Sequence, residues 1–260
     1  MPGAAFFDLD KTLMEGSSGV HFARALHRAG MISRRALARD LWANVRFRLE
    51  GSTDAGTAVV RERVLAGLAG LRVRDLQRLT PEVLKGILPR VYPEMLREAY
   101  SHQDAGRPAF IVTAASHDLA ELLAHVLALD GGIGARYEHA EGHYTGQPGG
   151  PFTYREGKVE AMEALAAERG IDLAESYAYS DSESDLPMLR AVGNPVAVNP
   201  DAELWRVARE EGWRVMRFDK LGRRLRIAVA AAALAAAAGG GGYLVGELRE
   251  RRRPRGLGRR

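Results

Sequence analysis

No cysteine occurs in the 260 residues. That excludes a disulfide framework, a thiol nucleophile and a thiolate-ligated metal. The N-terminus, MPGAAFFDLDKT, lacks a basic stretch followed by an apolar core. No secretory signal is read there, and a cytoplasmic catalytic body is expected. Internal repeats are missing too. The body lacks the excess of positive charge that the formal net charge of +4 suggests. Lys220 to Arg260 hold eleven basic and two acidic side chains, which leaves residues 1–219 with 26 basic against 31 acidic. A basic tail therefore masks an acidic body, and no nucleic-acid partner is expected.

What is present is ordinary for a globular chain: 46% hydrophobic and 27% charged residues, at a length that suits one domain with an insertion or two small ones. Ala4 to Phe7 is a short apolar run that fits a buried strand. Helical signals follow from Ser17 to about Ala105. Ser17 or Ser18 is placed to cap a helix ending at Gly30, and Ser33 to cap another ending at Glu50, with Leu37, Leu41, Val45 and Leu49 as its packing stripe. Trp42 and Phe47 are expected in the core of this helical block. Further helices fit 58–68, 73–88 and 93–104. From Gly106 strand and helix patterns alternate: a strand at Ala109 to Val112, a helix from Ser116 to Leu129, and a hairpin over 133–146 with Gly142 near its turn. A helix at 159–169, strands at 177–179, 196–198 and 215–216, and a short helix at 186–192 complete the pattern. The fold class expected is α/β, a doubly wound parallel Rossmann-like core with an inserted helical block. The boundaries expected are 1–15 and 106–222 for the core, 16–105 for the insert and 223–260 for a tail.

In such sheets, sites lie beyond the carboxyl ends of the strands. Asp8 and Asp10, Thr113 with Ala114 and Ala115, Lys158, and Asp181 with Asp185 all fall at strand or helix ends. Four carboxylates gathered there repel one another unless a cation sits among them, and an all-oxygen donor set favours a hard ion such as Mg²⁺. Thr113 with the small Ala114 is read as exposing N–H groups to an anion just before a helix, and Lys158 as adding a point charge. Together they suit phosphoryl transfer. His139 and His143 are four apart on the expected hairpin, a spacing that does not converge two rings, and they are read as surface residues.

The segments DLDKT, VTAAS, GKVEAM and YSDSESDLPML, in this order, closely resemble the four motifs of the haloacid dehalogenase superfamily. The resemblance runs from about Phe6 to Phe218, the insert looks like that superfamily's helical C1 cap, and SDLPML looks most like subfamily IB, the phosphoserine phosphatase relatives. It implies Asp8 as a nucleophile that forms an aspartyl phosphate and Asp10 as general acid and base. It also implies a Mg²⁺ held by Asp8, the Asp10 carbonyl and Asp181, and by Asp185 directly or through water, with Thr113 and Lys158 on the phosphoryl oxygens and Thr12 shaping the loop. Phosphoserine phosphatases carry a glutamate nine residues after the nucleophile, and here that position is Ser17. Phosphoserine is therefore not the expected main substrate. The resemblance implies a phosphorylated small molecule or, as for some relatives, a lipid phosphate. Two alternatives stand beside this reading: a phosphoserine phosphatase, and a non-catalytic membrane scaffold that keeps the fold.

Residues 227–246, IAVAAAALAAAAGGGGYLVG, are uncharged and long enough to span a bilayer, and seven arginines follow. Few are strongly apolar, so a spanning helix and an interfacial arm are both open. Membrane association through this segment is expected. Gly242 and Gly246 have the spacing of a helix-dimer motif, so a homodimer partner is also considered.

Overall fold

The computed structural model describes residues 2–35, 38 and 54–218. Most of the expected helix from Ser33 to Glu50, with Trp42 and Phe47, and the tail stretch 227–246 lie outside them. Among the described residues no helix is long and apolar enough to cross a membrane.

The centre is a parallel sheet built on β1 (Ala5–Phe7), with β2 (Ala109–Ser116) and β3 (Gly131–Ala135) on one side and β6 (Tyr177–Ser180), β7 (Asn194–Val198) and β8 (Arg214–Met216) on the other. Ala4 to Phe7 are fully buried, as expected for a strand covered on both faces. Phe7 stacks on Tyr179 with centroids 4.4 Å apart, and Phe6 on Phe110 at 5.7 Å, so aromatic pairs hold β1 to both neighbours. The chain leaves β1 toward β2 and β3, then returns to build β6 to β8 on the other flank. The order reverses beside β1, and ligands in open α/β sheets bind at that reversal.

Helices α1 (Ser18–Arg28), α2 (Asp54–Leu68), α3 (Val73–Gln77), α4 (Thr80–Ile87) and α5 (Pro93–Asp104) separate β1 from β2. The single helix expected over 73–88 is two, with a further 3-10 turn at Leu88–Arg90. Pro81 explains the break: it has no N–H to continue the helix before it and is accommodated in the first turn of α4. Although the sequence groups Pro93–Asp104 with the insert, α5 docks on the sheet. Arg107 Nε donates to His102 Nδ1 at 2.9 Å. His102 Nε2 therefore carries the proton and donates to the Tyr179 hydroxyl at 2.7 Å, which donates to Glu98 at 2.9 Å.

The hairpin expected over 133–146 is also corrected. Gly131–Ala135 is the edge strand of the parallel sheet, and the hairpin is β4 (Tyr137–Ala140) with β5 (His143–Pro148). The segment GGIGA hides its strand character because it must approach α6 (His117–Val126): a Cβ on Gly132 would lie 2.2 Å from the Ala120 carbonyl carbon. The hairpin is tied to the insert by bonds from Gly70 N to Tyr144 O, Tyr144 N to Leu71 O and Val73 N to Gly142 O, of 2.8 to 3.0 Å. Helices α7 (Glu156–Arg169), α8 (Leu186–Arg190) and α9 (Ala202–Glu210) complete the described chain.

Candidate active site

Asp8 follows β1 directly, and its N–H donates to Tyr179 O at 2.9 Å. Pairing of Phe7 with Ile111 and with Tyr179 sets the ends of β1 and β6 beside the middle of β2. Thr113, Asp8 and Asp181 are thus carried to one edge of the sheet by register alone. All three are buried. Lys158 comes from the first turn of α7, whose buried stripe is Lys158, Met162 and Ala166 at intervals of four. The apolar part of that stripe presses α7 on the sheet and delivers the ammonium to the strand ends.

Lys158 Nζ donates to Asp8 Oδ1 and to Asp185 Oδ2, both at 2.7 Å. Ser180 Oγ donates to the same Asp185 oxygen at 2.6 Å. Asp185 precedes α8 but makes no side-chain cap bond; its carboxylate faces Lys158 instead. Asp181 lies 3.5 Å from Lys11 Nζ and 3.5 Å from the Thr12 hydroxyl, and its main-chain oxygen accepts from Asp201 N at 2.9 Å. Asp10 accepts at Oδ2 from Ser17 Oγ and at Oδ1 from Ser18 N, both at 2.8 Å.

Two local expectations change here. Strand β2 runs on through Ser116, so Thr113 does not precede a helix directly. Ser116 is the cap of α6, accepting from Leu119 N, while Thr113 Oγ1 accepts from Ala115 N at 3.1 Å. Ser17 does occupy the N-cap position of α1, but its side chain makes no cap bond. His139 and His143 are exposed on the hairpin. Ser180, Lys11 and the Ser17–Ser18 pair were not singled out as site residues. Ser180 and Lys11 adjoin motif aspartates, the one signal that points to them; Ser17 stands out in the sequence as a cap candidate and for the carboxylate it lacks, not as a partner of Asp10.

Electrostatically, the site is short of positive charge. Burial is the largest influence on Asp8; Lys158 pulls its carboxyl down, Asp185 and Asp181 push it up, and the result stands at about 8. Burial likewise dominates Asp181, opposed by Lys11 and reinforced by Asp185 and Asp201, with the carboxyl pushed up to about 7. Burial pulls the Lys158 ammonium down, but Asp185 and Asp8 outweigh it and hold it above the usual lysine range. Lys158 is thus a fixed cation between two carboxylates, with Asp181 balanced only by the half-exposed Lys11. Among the described residues no three His, Asp or Glu side chains already enclose a common point. The fit to a hard divalent cation is one of charge and donor chemistry: buried carboxylates held partly protonated for want of positive charge, all offering oxygen.

The profile of the haloacid dehalogenase-like hydrolases matches residues 5–190. Over 231 residues the chain is 37% identical to the phosphoserine phosphatase SerB1 of Mycobacterium tuberculosis, covering 88% of this chain and 75% of that protein. It is 32% identical to a histidinol-phosphatase of Neisseria meningitidis over 84% of this chain and all of that protein. A crystal structure of a protein of unknown function from Bordetella pertussis superposes with a TM-score of 0.72 at 30% identity, over 83% of this chain and 98% of that one. A substrate-bound phosphoserine phosphatase superposes with a TM-score of 0.61 at 19% identity, over 87% and 98%, a likeness of fold.

Proposed function

The chain belongs to the haloacid dehalogenase-like hydrolases and is a phosphatase of that family; from this premise we propose that it is a Mg²⁺-dependent phosphomonoester hydrolase working through an aspartyl phosphate on Asp8. The observation that carries the reading is the Asp8–Lys158–Asp185 bridge beside an Asp10 held separately by Ser17 and Ser18. Two carboxylates two residues apart are given different surroundings, which suits different roles.

Lys158 occupies Asp8 Oδ1, so Oδ2 is the oxygen left to attack phosphorus. As the new O–P bond forms, the ester P–O bond breaks and Asp10 gives its proton to the leaving oxygen. Asp10, now a carboxylate, takes a proton from water, which attacks phosphorus and frees Asp8 and inorganic phosphate. Thr113, the Ala114 main chain and Lys158 are the groups that bind the phosphoryl oxygens. A Mg²⁺ held by Asp8, Asp181, Asp185 and the Asp10 carbonyl would supply positive charge opposite the transferring group. It would also draw the Asp8 carboxyl back into its ionised, nucleophilic form.

The substrate proposed is the phosphate ester of a small alcohol. The names of the relatives make phosphoserine and histidinol phosphate the first candidates. Ser17 weighs against phosphoserine, since its hydroxyl is engaged with Asp10 and no carboxylate stands there to meet an amino group. A lipid phosphate, and membrane association through residues 227–246, rest on the sequence alone. The test is a panel of phosphate esters, including phosphoserine, histidinol phosphate, an aryl phosphate and lipid phosphates, with Mg²⁺ and with EDTA. Hydrolysis is expected only with Mg²⁺, with phosphoserine below the best ester in kcat/KM. Full activity in EDTA would remove the metal from the reading, and phosphoserine as best substrate would remove the argument from Ser17.

A further inference from the structure

Both carboxylate oxygens of Asp10 are held by the start of one helix. Ser17 Oγ donates to Oδ2 and Ser18 N to Oδ1, each at 2.8 Å, and both serines are buried. An N-cap serine ordinarily turns its oxygen toward the free N–H groups of its own first turn. Ser17 has the extended N-cap backbone, φ −132 and ψ 128, yet makes no such bond. Gly16, at φ +89, supplies the left-handed turn that folds the chain back so residues 17 and 18 face Asp10. The helix has given up a cap contact, and the hydroxyl has gone to a site carboxylate.

We propose that Ser17 is a positioning residue for Asp10, through which the insert's first helix sets the geometry of proton transfer to the leaving group. The inference rests on the phosphatase reading above and deepens it. The two donors are not equivalent. Ser18 N–H can only donate, whereas a hydroxyl donates or accepts. When Asp10 is a carboxylate, Ser17 donates to it. When Asp10 carries the proton, the same hydroxyl can turn and accept from it until the ester oxygen takes its place as acceptor. As Asp10 gives its proton to the ester oxygen and the P–O bond breaks, Ser17 turns back to donate, and its own proton is never lost. A residue that must cycle between acid and base needs a partner that tolerates both forms, and among its two partners only Ser17 does.

The test separates this role from a structural one by the leaving group. A nitrophenolate departs without a proton, and an alkoxide does not, so only the alkyl ester needs the acid. kcat/KM is measured for 4-nitrophenyl phosphate and for the best alkyl phosphate, with Mg²⁺, in wild type, S17A and S17T. A lost hydrogen bond to a charged group corresponds to about 10- to 100-fold. S17A is expected to lose about that much on the alkyl ester, chiefly in kcat, and less than about 3-fold on the aryl ester, while S17T recovers most of the loss because it keeps the hydroxyl. Should S17A not fold, S17C carries the same test, since a thiol is a weak donor. An unchanged ratio of alkyl to aryl activity in S17A, or an S17T as impaired as S17A, overturns the assignment of Ser17 alone. A wild type that hydrolyses no ester overturns the phosphatase reading and this inference with it.

Discussion

Replacing Lys158 with methionine removes the ammonium that touches both Asp8 and Asp185 while keeping a side chain of similar length. Each contact is 2.7 Å, and the lysine is 2% exposed. At an effective dielectric near 20, each attraction is about 6 kcal/mol gross. Taking the ammonium out of water costs several kcal/mol, so the net worth of the bridge is smaller. Breaking a buried pair by removing one partner nonetheless costs about 3–5 kcal/mol, because the other charges stay buried without compensation. The loss should depend on pH. Asp8 is already pushed up to about 8, and Lys158 is the influence that restrains it. A carboxyl whose folded value lies above its unfolded one contributes stability that is complete below the unfolded value and is lost as pH rises through the folded one. In EDTA, wild type should therefore lose stability between about pH 4 and pH 8, and the methionine variant more steeply. Urea unfolding followed by tryptophan fluorescence at pH 5 and pH 8.5 measures both. A loss of about 3–5 kcal/mol at pH 8.5 that shrinks at pH 5 is expected. A loss below about 1 kcal/mol at pH 8.5, or the same loss at both pH values, would refute the view of Lys158 as counter-charge to buried carboxylates.

Asp8→Asn should leave a folded protein with under about one per cent of wild-type kcat, since no other side chain offers the covalent route; a folded variant with substantial turnover would displace the nucleophile. Magnesium should raise the Tm of wild type, more at pH 8 than at pH 6 because the carboxylates must shed protons to bind it. Asp181→Ala should abolish most of that increment, and an increment that survives in full would exclude Asp181 as a ligand. His102 is pushed down to about 4, first by burial and then by Arg107, so its folded form binds a proton less readily than the unfolded chain. The stability it contributes is complete above about pH 6.5 and is lost as pH falls toward 4, on the order of 3 kcal/mol in total. His102→Gln should flatten the rise of unfolding free energy with pH across that window relative to wild type, and an unaltered slope would sink the argument.

Residues whose placement depends on a short run of neighbours were legible in the sequence. DLDKT follows a short apolar run that fits a buried strand in this alternating context, and parallel pairing then carries Asp8, Thr113 and Asp181 to one edge. Features set by contacts between distant segments were not. Part of Gly131–Ala135 reads as the start of a hairpin because three of its five residues are glycine and hide the parallel strand, and only distant contacts explain them: Gly132 closes on α6, and Gly134 on the passage from β2 into α6. The chain from Arg107 through His102 and Tyr179 to Glu98 joins helix, strand and loop positions up to 81 residues apart, and nothing local announces it. Ser17 is the instructive case. Its position and its lack of a carboxylate were both visible, and the natural reading of a serine before a helix is a cap. What the sequence could not convey is that Gly16 turns the chain toward Asp10. Ser17 then donates to a site carboxylate, a charge-assisted bond worth roughly twice a neutral one, and the orientation that makes it takes the hydroxyl oxygen away from the helix N–H groups it would otherwise accept from. The same preference decides Asp185, which stands where a helix cap would but turns to Lys158. Where cap residues and charged groups meet at strand ends, the bond to the charged partner is kept and the cap rule is broken, and the broken rule marks the site.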